Sequence, residues 1–391
     1  MISVEETFSH ILAACTPLPA VRMPIHEAVG LTLAHPVTSA GAQPPFDASA
    51  MDGYAIRSCD ATIGASLSVI GHSAAGQAYD GSIGPSQAVR IFTGGVVPMG
   101  ADMILIQENV TPQGADRITI NDVNAERFIR AAGSDFSANF TIDRGTTITP
   151  PILMLLAAMN VPYVQVARRP VVSIISTGDE LMPVGSTPNA DQIIASNHFG
   201  VAAMVRACGA VPRTLPLIPD DPAMLQQALE LSASSDMVVF SGGASVGDHD
   251  LVAPTLRAFG VDLHLHKISM RPGKPLMFGT KAHQIFFGLP GNPVSAFVCG
   301  RLFMTTALRA MMGQSATLPQ TKMAPLNMSI GAGGPRTHFM RGKLEQDGTL
   351  TVFDRQDSSL ISILAEANVL IRQDIHSAAK TAGDEMPYIS I

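Results

Sequence analysis

Three scarcities in this sequence exclude several classes of protein. Cysteine is sparse: Cys15, Cys59, Cys208 and Cys299 are scattered without a paired spacing, so they read as buried thiols in a reducing compartment, not as a zinc site or a disulfide frame. Positive charge is in deficit, with 25 Lys and Arg against 32 Asp and Glu. A net charge of −7 argues against a nucleic-acid groove, and any anion recognised here should be small and locally bound. Long hydrophobic runs are also missing. The most apolar stretch, Ile152 to Met159, falls far short of the roughly 20 residues a bilayer demands and reads as a buried helix, so no membrane span is expected. The opening MISVEETFSHILAAC lacks the basic start of a secretory signal and places Ser3 and Glu6 at capping-box spacing, which predicts a helix and a cytoplasmic location.

The 391 residues are 46% hydrophobic and 15% charged, enough for real cores in roughly two to four domains. The opening helix to about Cys15 is followed by Pro17, Pro19 and Pro24, then by a second helical pattern from His26, which gives way at PVTSAGAQPPFD to a boundary. From about Phe46 to Arg130 short alternating stretches predict an all-β module. Thr149, Pro150 and Pro151 start a helix, with the threonine suited to cap it. Strand, loop and helix then recur: VVSIIST before a helix near 196–208, DMVVFSGG before one near 251–259, and IFFGLPG before a long one from Val294 to Met312. That alternation predicts a mostly parallel α/β sheet covered on both faces, with ligands at the carboxyl ends of its strands. Past Pro319 a hairpin around Asp347-Gly348 and a small β domain close the chain.

Three glycine-rich turns fall at those carboxyl ends. In GLPGNPVSAF, Pro290, Gly291, Asn292 and Pro293 could present free amides to an anion, with Asn292 capping the next helix, or could form a tight turn and nothing more. In SGGASVGDHD, Gly242, Gly243, Ser245 and Gly247 could form a concave nest of amides, with Asp248 and Asp250 within reach of a metal. In STGDEL, Asp179 and Glu180 either cap a helix or ligate a cation; Asp220 and Asp221, before Pro222, carry the same ambiguity. Taken together these acids suit Mg²⁺, which uses one or two carboxylates plus substrate phosphate. Arg271 and Lys274 in MRPGKP supply a fork and a point charge, or two solvated cations. His264 and His266 lack a third ligand and read as edge residues.

PPFDASAMDGYAI, RIFTGGVVPMGADMILIQE, STGDEL, SGGASVGDHD, MRPGKP, GLPGNPVSA and the terminal LAEANVLI, in that order, resemble the molybdopterin molybdenumtransferase family across essentially the whole chain. The resemblance implies a homodimer of elongated subunits. Each would hold a discontinuous helical domain (1–43 and 136–168), an inserted β domain (44–135), a molybdopterin-binding α/β domain (169–318) and a C-terminal β-barrel (319–391). It implies Mg²⁺-dependent insertion of molybdate into adenylylated molybdopterin with release of AMP, and contacts with the upstream adenylyltransferase and with molybdoenzyme chaperones. By motif it assigns Asp52, Thr93, Asp135, Glu180, Asp220 or Asp221, and Asp250 to the active site, with Asp52 and Thr93 facing it from the partner subunit. Arg341 and Ser358 are assigned to the molybdate oxyanion. The chain departs from the family pattern at Ser134, Arg271 and Asp357, where glutamate, lysine and glycine are usual. Two other readings are ATP-dependent adenylylation of molybdopterin, against which AMDGY and FTGG speak, and a non-catalytic scaffold.

Overall fold

A computed structural model describes residues 1–242, 251–265, 267–315 and 317–391. Gly243, Ser245, Gly247, Asp248 and Asp250 of the second glycine turn lie outside the described residues, as does His266. The centre is a six-stranded sheet of β1 (Val171–Ser176), β2 (Val211–Thr214), β3 (Met237–Ser241), β4 (Asp262–Leu265), β5 (Met277–Lys281) and β6 (Gln284–Leu289), in the order β2-β1-β3-β6-β5-β4. The first four in that order run parallel, β5 runs antiparallel to them, and β4, antiparallel to β5, runs with the first four.

The predicted continuous apolar runs are what a sheet buried on both faces requires. On β6, Phe286 and Phe287 are both buried but point to opposite faces. One layer holds α3 (Asn197–Ala207) and α6 (Pro293–Met311); the other holds α4 (Pro222–Leu231) and α5 (Val252–Ala258). By length and composition α6 could cross a membrane, but 83% of its most apolar window is buried inside the molecule, so its apolarity serves the core. A π-helical turn, Gly300–Met304, interrupts it, and at Gly300 a side chain would run into Met204 of α3.

The N-terminal helix, Val4–Ala14, carries the predicted capping box, with the Ser3 hydroxyl accepting from the Glu6 amide and the Glu6 carboxylate from the Ser3 amide. It packs on α6 through Val4, Ile11 and the Phe8–Phe303 ring pair. The helical pattern from His26 reduces to one 3₁₀ turn, Ile25–Glu27, because Gly30 turns the chain at φ +80°. Thr149 precedes the helix Pro150–Ala158, but its hydroxyl makes no capping bond. Residues 20–43 and 136–167 meet through the pairing of Ala20–Pro24 with Tyr163–Ala167 and share a core of Leu31, Leu33, Phe136, Leu156 and Val166.

Between these segments lies the six-stranded β module, including Gly53–Ile56, Ser66–Ser73 and Gln87–Ile91. The C-terminal region forms a curled sheet in which Thr337–Leu344 pairs with Leu350–Val352 across the predicted Asp347-Gly348 turn. A bridge from Leu326 to Leu350 brings its far edge back on itself. Gly348 adopts φ +85°, and the Asp347 carboxylate accepts from the Thr349 amide and hydroxyl.

Candidate active site

At the carboxyl ends of β1, β3 and β6 lies a cavity of about 690 Å³. Its walls come from the turns after these strands, the start of α3 and the Ser359–Ile361 segment of the C-terminal region. Glycine is required at 242: the residue adopts φ +103°, and a Cβ there would strike the Thr177 carbonyl of the neighbouring turn. A Cβ added at Gly291 would meet the Gly242 Cα at an ordinary contact distance of 3.9 Å, so the turns after β3 and β6 lie side by side. Asn197 donates to the Gly291 carbonyl at 2.7 Å, fastening the start of α3 to the PGNP turn. Asn292 occupies the N-cap position of α6, yet its side chain makes no capping bond; its amide donates to the Ser358 hydroxyl at 3.0 Å. The Val294 amide donates to the Ser358 carbonyl at 3.1 Å, so the C-terminal region is tied to the same turn.

Two polar atoms at the cavity wall have no partner among the described residues. They are the Ser241 hydroxyl, on a residue 3% exposed, and His198 Nδ1. An orphaned buried hydroxyl costs about 1–3 kcal/mol, so such groups mark a place where a ligand or water completes the set. Burial also pushes the His198 pKa below its usual value, which favours the neutral ring.

The acids divide. Glu180 lines the cavity. Asp220 stands behind it, accepting from the hydroxyl of cavity-lining Thr177 at 2.6 Å, while its own amide donates to Asp179 at 3.0 Å. Asp221 departs from the expected metal role: its Oδ1 accepts from the Ala223 and Met224 amides, both at 2.9 Å, and so caps α4. Among the described residues no three His, Cys, Asp or Glu side chains cluster as a metal site. Glu180 in the cavity wall and Asp220, bonded to the Thr177 hydroxyl of that wall, are hard-oxygen groups of the kind Mg²⁺ accepts when phosphate and water supply its other ligands.

On the C-terminal side Arg341 also departs from expectation. It is 1% exposed, and its Nη groups donate to the Leu360 and Arg355 carbonyls, both at 3.1 Å. It therefore holds the loop that carries Ser358 and does not line the cavity. Burial lowers its pKa against the opposing pull of Asp357. Asp357 is itself held below the ordinary carboxylate range, chiefly by the Ser359 hydroxyl and amide at 2.6 and 2.9 Å. Arg271 and Lys274 are exposed on the loop ending at cavity-lining Pro275.

Family models match the chain end to end: the MoeA N-terminal region (domain I and II) over residues 2–160, a probable molybdopterin binding domain over 173–310, and the MoeA C-terminal region (domain IV) over 323–391. A molybdopterin molybdenumtransferase of Haemophilus influenzae is 32% identical, covering 98% of this chain and 97% of the relative. The chain belongs to the molybdopterin molybdenumtransferase family. A molybdopterin molybdenumtransferase 2 of Mycobacterium tuberculosis is 34% identical over 95% of each chain. The fold matches that of a molybdopterin biosynthesis MoeA protein from Pyrococcus horikoshii with a TM-score of 0.86, 25% identity and full coverage of both chains.

Of the residues that the glycine turns and the family motifs single out, the structure gathers Glu180, Gly242, Pro290, Gly291, Asn292 and Pro293 at the cavity and places Asp220 and Ser358 directly behind its walls. Asp52 and Thr93 are joined elsewhere, in the β module: the Thr93 amide and hydroxyl donate to Asp52 Oδ1 at 2.7 and 2.8 Å. These bonds hold the Asp52 carboxyl below its usual range. Asp135 is exposed, its amide bonded to the Gln43 carbonyl. Neither this pair nor Asp135 lines the cavity of its own chain. Sequence reasoning missed Thr177, Asn197, His198 and Ser241. Thr177 and Ser241 end the apolar runs and could have been singled out as polar residues at strand exits.

Proposed function

We propose that this chain is a molybdopterin molybdenumtransferase that inserts molybdenum into adenylylated molybdopterin and releases AMP. The observation that carries this reading is the cavity at the sheet's carboxyl edge, where glycine and proline turns, the Ser241 hydroxyl and the start of α3 face one space. It has the volume and donors for a pterin bearing a diphosphate. Glu180, with Asp220 behind it, would hold Mg²⁺, which when bound neutralises charge on the diphosphate. Ser241, the Gly291-Asn292 backbone and Asn197 orient the ligand. Ser358, fixed by Asn292 and by the loop around Arg341, offers a hydroxyl toward the oxyanion. In the step itself a water molecule adds across the diphosphate bond, so that AMP leaves and the phosphate stays on molybdopterin, and the two dithiolene thiols bind the molybdenum of molybdate while their two protons carry away one of its oxygens as water.

Asp52 and Thr93 form a preassembled acid–hydroxyl pair away from their own chain's cavity. We assign this pair, with Asp135, to the cavity of a second copy in a homodimer. The four cysteines are unpaired, and we place the reaction in the cytoplasm, where they would stay reduced.

The test supplies adenylylated molybdopterin, molybdate and Mg²⁺ and follows AMP. Molybdate-dependent AMP release is expected. Pyrophosphate release from ATP and molybdopterin without molybdate would instead make the chain an adenylyltransferase, and tight binding without AMP would make it a scaffold.

A further inference from the structure

A second large cleft, about 620 Å³, opens at the opposite end of the central sheet. Arg169 enters it just before β1, and Gly209 just before β2. The six residues of β1 separate it from the candidate active site, a span of roughly 20 Å at about 3.3 Å per residue. Arg169, Arg206, Arg301, Arg309 and Lys322 line it, and among the described residues no acidic one does. In a chain of net charge −7 that is a marked local reversal.

Two of the five have an ordinary structural explanation. Arg206 lies in the last turn of α3 and Arg309 in the last turn of α6, where the helix dipole favours a cation. That account does not reach Arg301, which sits in the π-helical turn midway along α6, nor Arg169 at a strand entry. Among the described residues none of the five makes an ion pair. Arg301 donates to the Ser390 carbonyl at 2.9 Å and Arg169 to the Gly209 carbonyl at 2.8 Å, which anchors the two side chains without neutralising them. Arg301 is half-buried, and burial followed by the nearby charge of Arg309 lowers its pKa. Arg301 and Arg309 also both act on the half-buried thiol of Cys208 in the cleft wall, opposing the rise that burial causes. Several guanidinium groups thus converge on one concave space with their charge uncompensated.

We propose that this cleft binds a small phosphate-bearing anion with two or more negative charges, of the pyrophosphate class. Guanidinium forks match phosphoryl oxygens in pairs, and several forks in one cleft suit linked phosphates better than a single carboxylate. Among the described residues no aromatic ring lines the cleft, which leaves no platform there for stacking a base, and recognition rests on the phosphates. The bound anion would pin the ends of α3 and α6, whose other ends frame the candidate active site, so occupancy of this cleft would stiffen the helices that shape it.

Calorimetric titration with sodium pyrophosphate at low ionic strength, with sodium chloride at matched ionic strength as the control, tests this. Three proteins are compared: the unaltered chain, the double variant Arg206→Gln with Arg309→Gln, and Asn292→Asp. The last sets a negative charge in the candidate active site and leaves the cleft untouched. Saturable binding should appear in the unaltered chain, weaken by about tenfold or more in the double variant, and persist in Asn292→Asp. Without pyrophosphate the double variant should melt close to the unaltered chain, since relief of the repulsion between the arginines offsets the loss of their favourable place at the helix ends. No saturable binding would overturn the proposal, and so would binding retained by the double variant. Binding lost only in Asn292→Asp would place the anion in the other cavity and equally overturn it. A melting point well below that of the unaltered chain would make the arginines structural.

Discussion

Replacing Arg341 separates two accounts of the residue. If the guanidinium grips the oxyanion directly, Arg341→Met should cost molybdate affinity and little stability. The structure predicts a joint loss, because the side chain is buried and bonded to the Leu360 and Arg355 carbonyls. A hydrogen bond from a charged donor contributes about 1.5–3 kcal/mol net, so two give roughly 3–6 kcal/mol. Removing a buried charge returns part of that, leaving a net loss of about 3 kcal/mol. At roughly 4–8 °C per kcal/mol for a domain of 60–100 residues, the size class of the C-terminal domain, the midpoint of its transition should fall by about 12–24 °C. The loop that holds Ser358 would loosen with it, and the molybdate KM should rise by roughly tenfold or more, since small displacements of positioning groups are costly. Differential scanning calorimetry and molybdate-dependent AMP release on the same preparation measure both. Arg341→Lys sharpens the comparison: lysine keeps the charge but cannot fork to two carbonyls, so it should fail to rescue either quantity. A raised KM with a midpoint within about 1 °C of the unaltered protein would refute the positioning role.

Asp221→Ala should lower stability by about 1 kcal/mol through loss of the α4 cap while leaving AMP release per folded molecule unchanged; a selective loss of turnover would return Asp221 to the metal site. Glu180→Gln should reduce turnover at low Mg²⁺ and recover in part as Mg²⁺ is raised; Mg²⁺-independent loss would contradict a metal-holding role. Burial, then Arg271, Arg341 and Arg336, hold the His338 imidazole at about 4, below its solution value, so the unfolded chain takes up the proton first as pH falls. Stability should therefore be fully present above about pH 6.5 and drain away toward pH 4, at no more than about 1.4 kcal/mol per pH unit before solvent screening reduces it. His338→Gln should flatten that acid limb in pH-dependent melts, and an unchanged slope would exclude His338 as its source. Arg168→Met should destabilise by about 3 kcal/mol in denaturant melts, because it strands the nearly buried Asp236 that it holds through bonds of 2.6 and 2.5 Å; a loss under 1 kcal/mol would mean that water reaches the carboxylate.

The central sheet was legible because burial on both faces leaves a plain trace: apolar runs of strand length, each ended by a glycine turn and followed by a helix. The capping box at Ser3 and the Asp347-Gly348 hairpin were legible for the same reason, being local chemistry at fixed spacing. Asn292 shows where that reading stops. Its position before Pro293 marks a cap, yet its amide bonds instead to Ser358, 66 residues away, and no local pattern encodes a competitor that far along the chain. Arg341 is the same case, since a cation beside a ligand and a cation bonded to two carbonyls look alike in sequence. Asp220 and Asp221 were indistinguishable until geometry turned one toward the Thr177 hydroxyl and the other into its own helix.

The polarity of the parallel layer connects the two ends of the molecule. Helices that return antiparallel to parallel strands bring their amino ends to the carboxyl edge of the sheet and their carboxyl ends to the other edge. The starts of α3 and α6 accordingly face the candidate active site with amides, assisted by Asn197 and the PGNP turn. The same polarity makes the opposite edge electronegative in its backbone, and Arg206 and Arg309 are the expected complement. Two helix ends, however, carry only about half a unit of negative charge each, whereas five cations line that cleft. The surplus is several charges too large for the helices to balance, and a multiply charged anion is the simplest group that would.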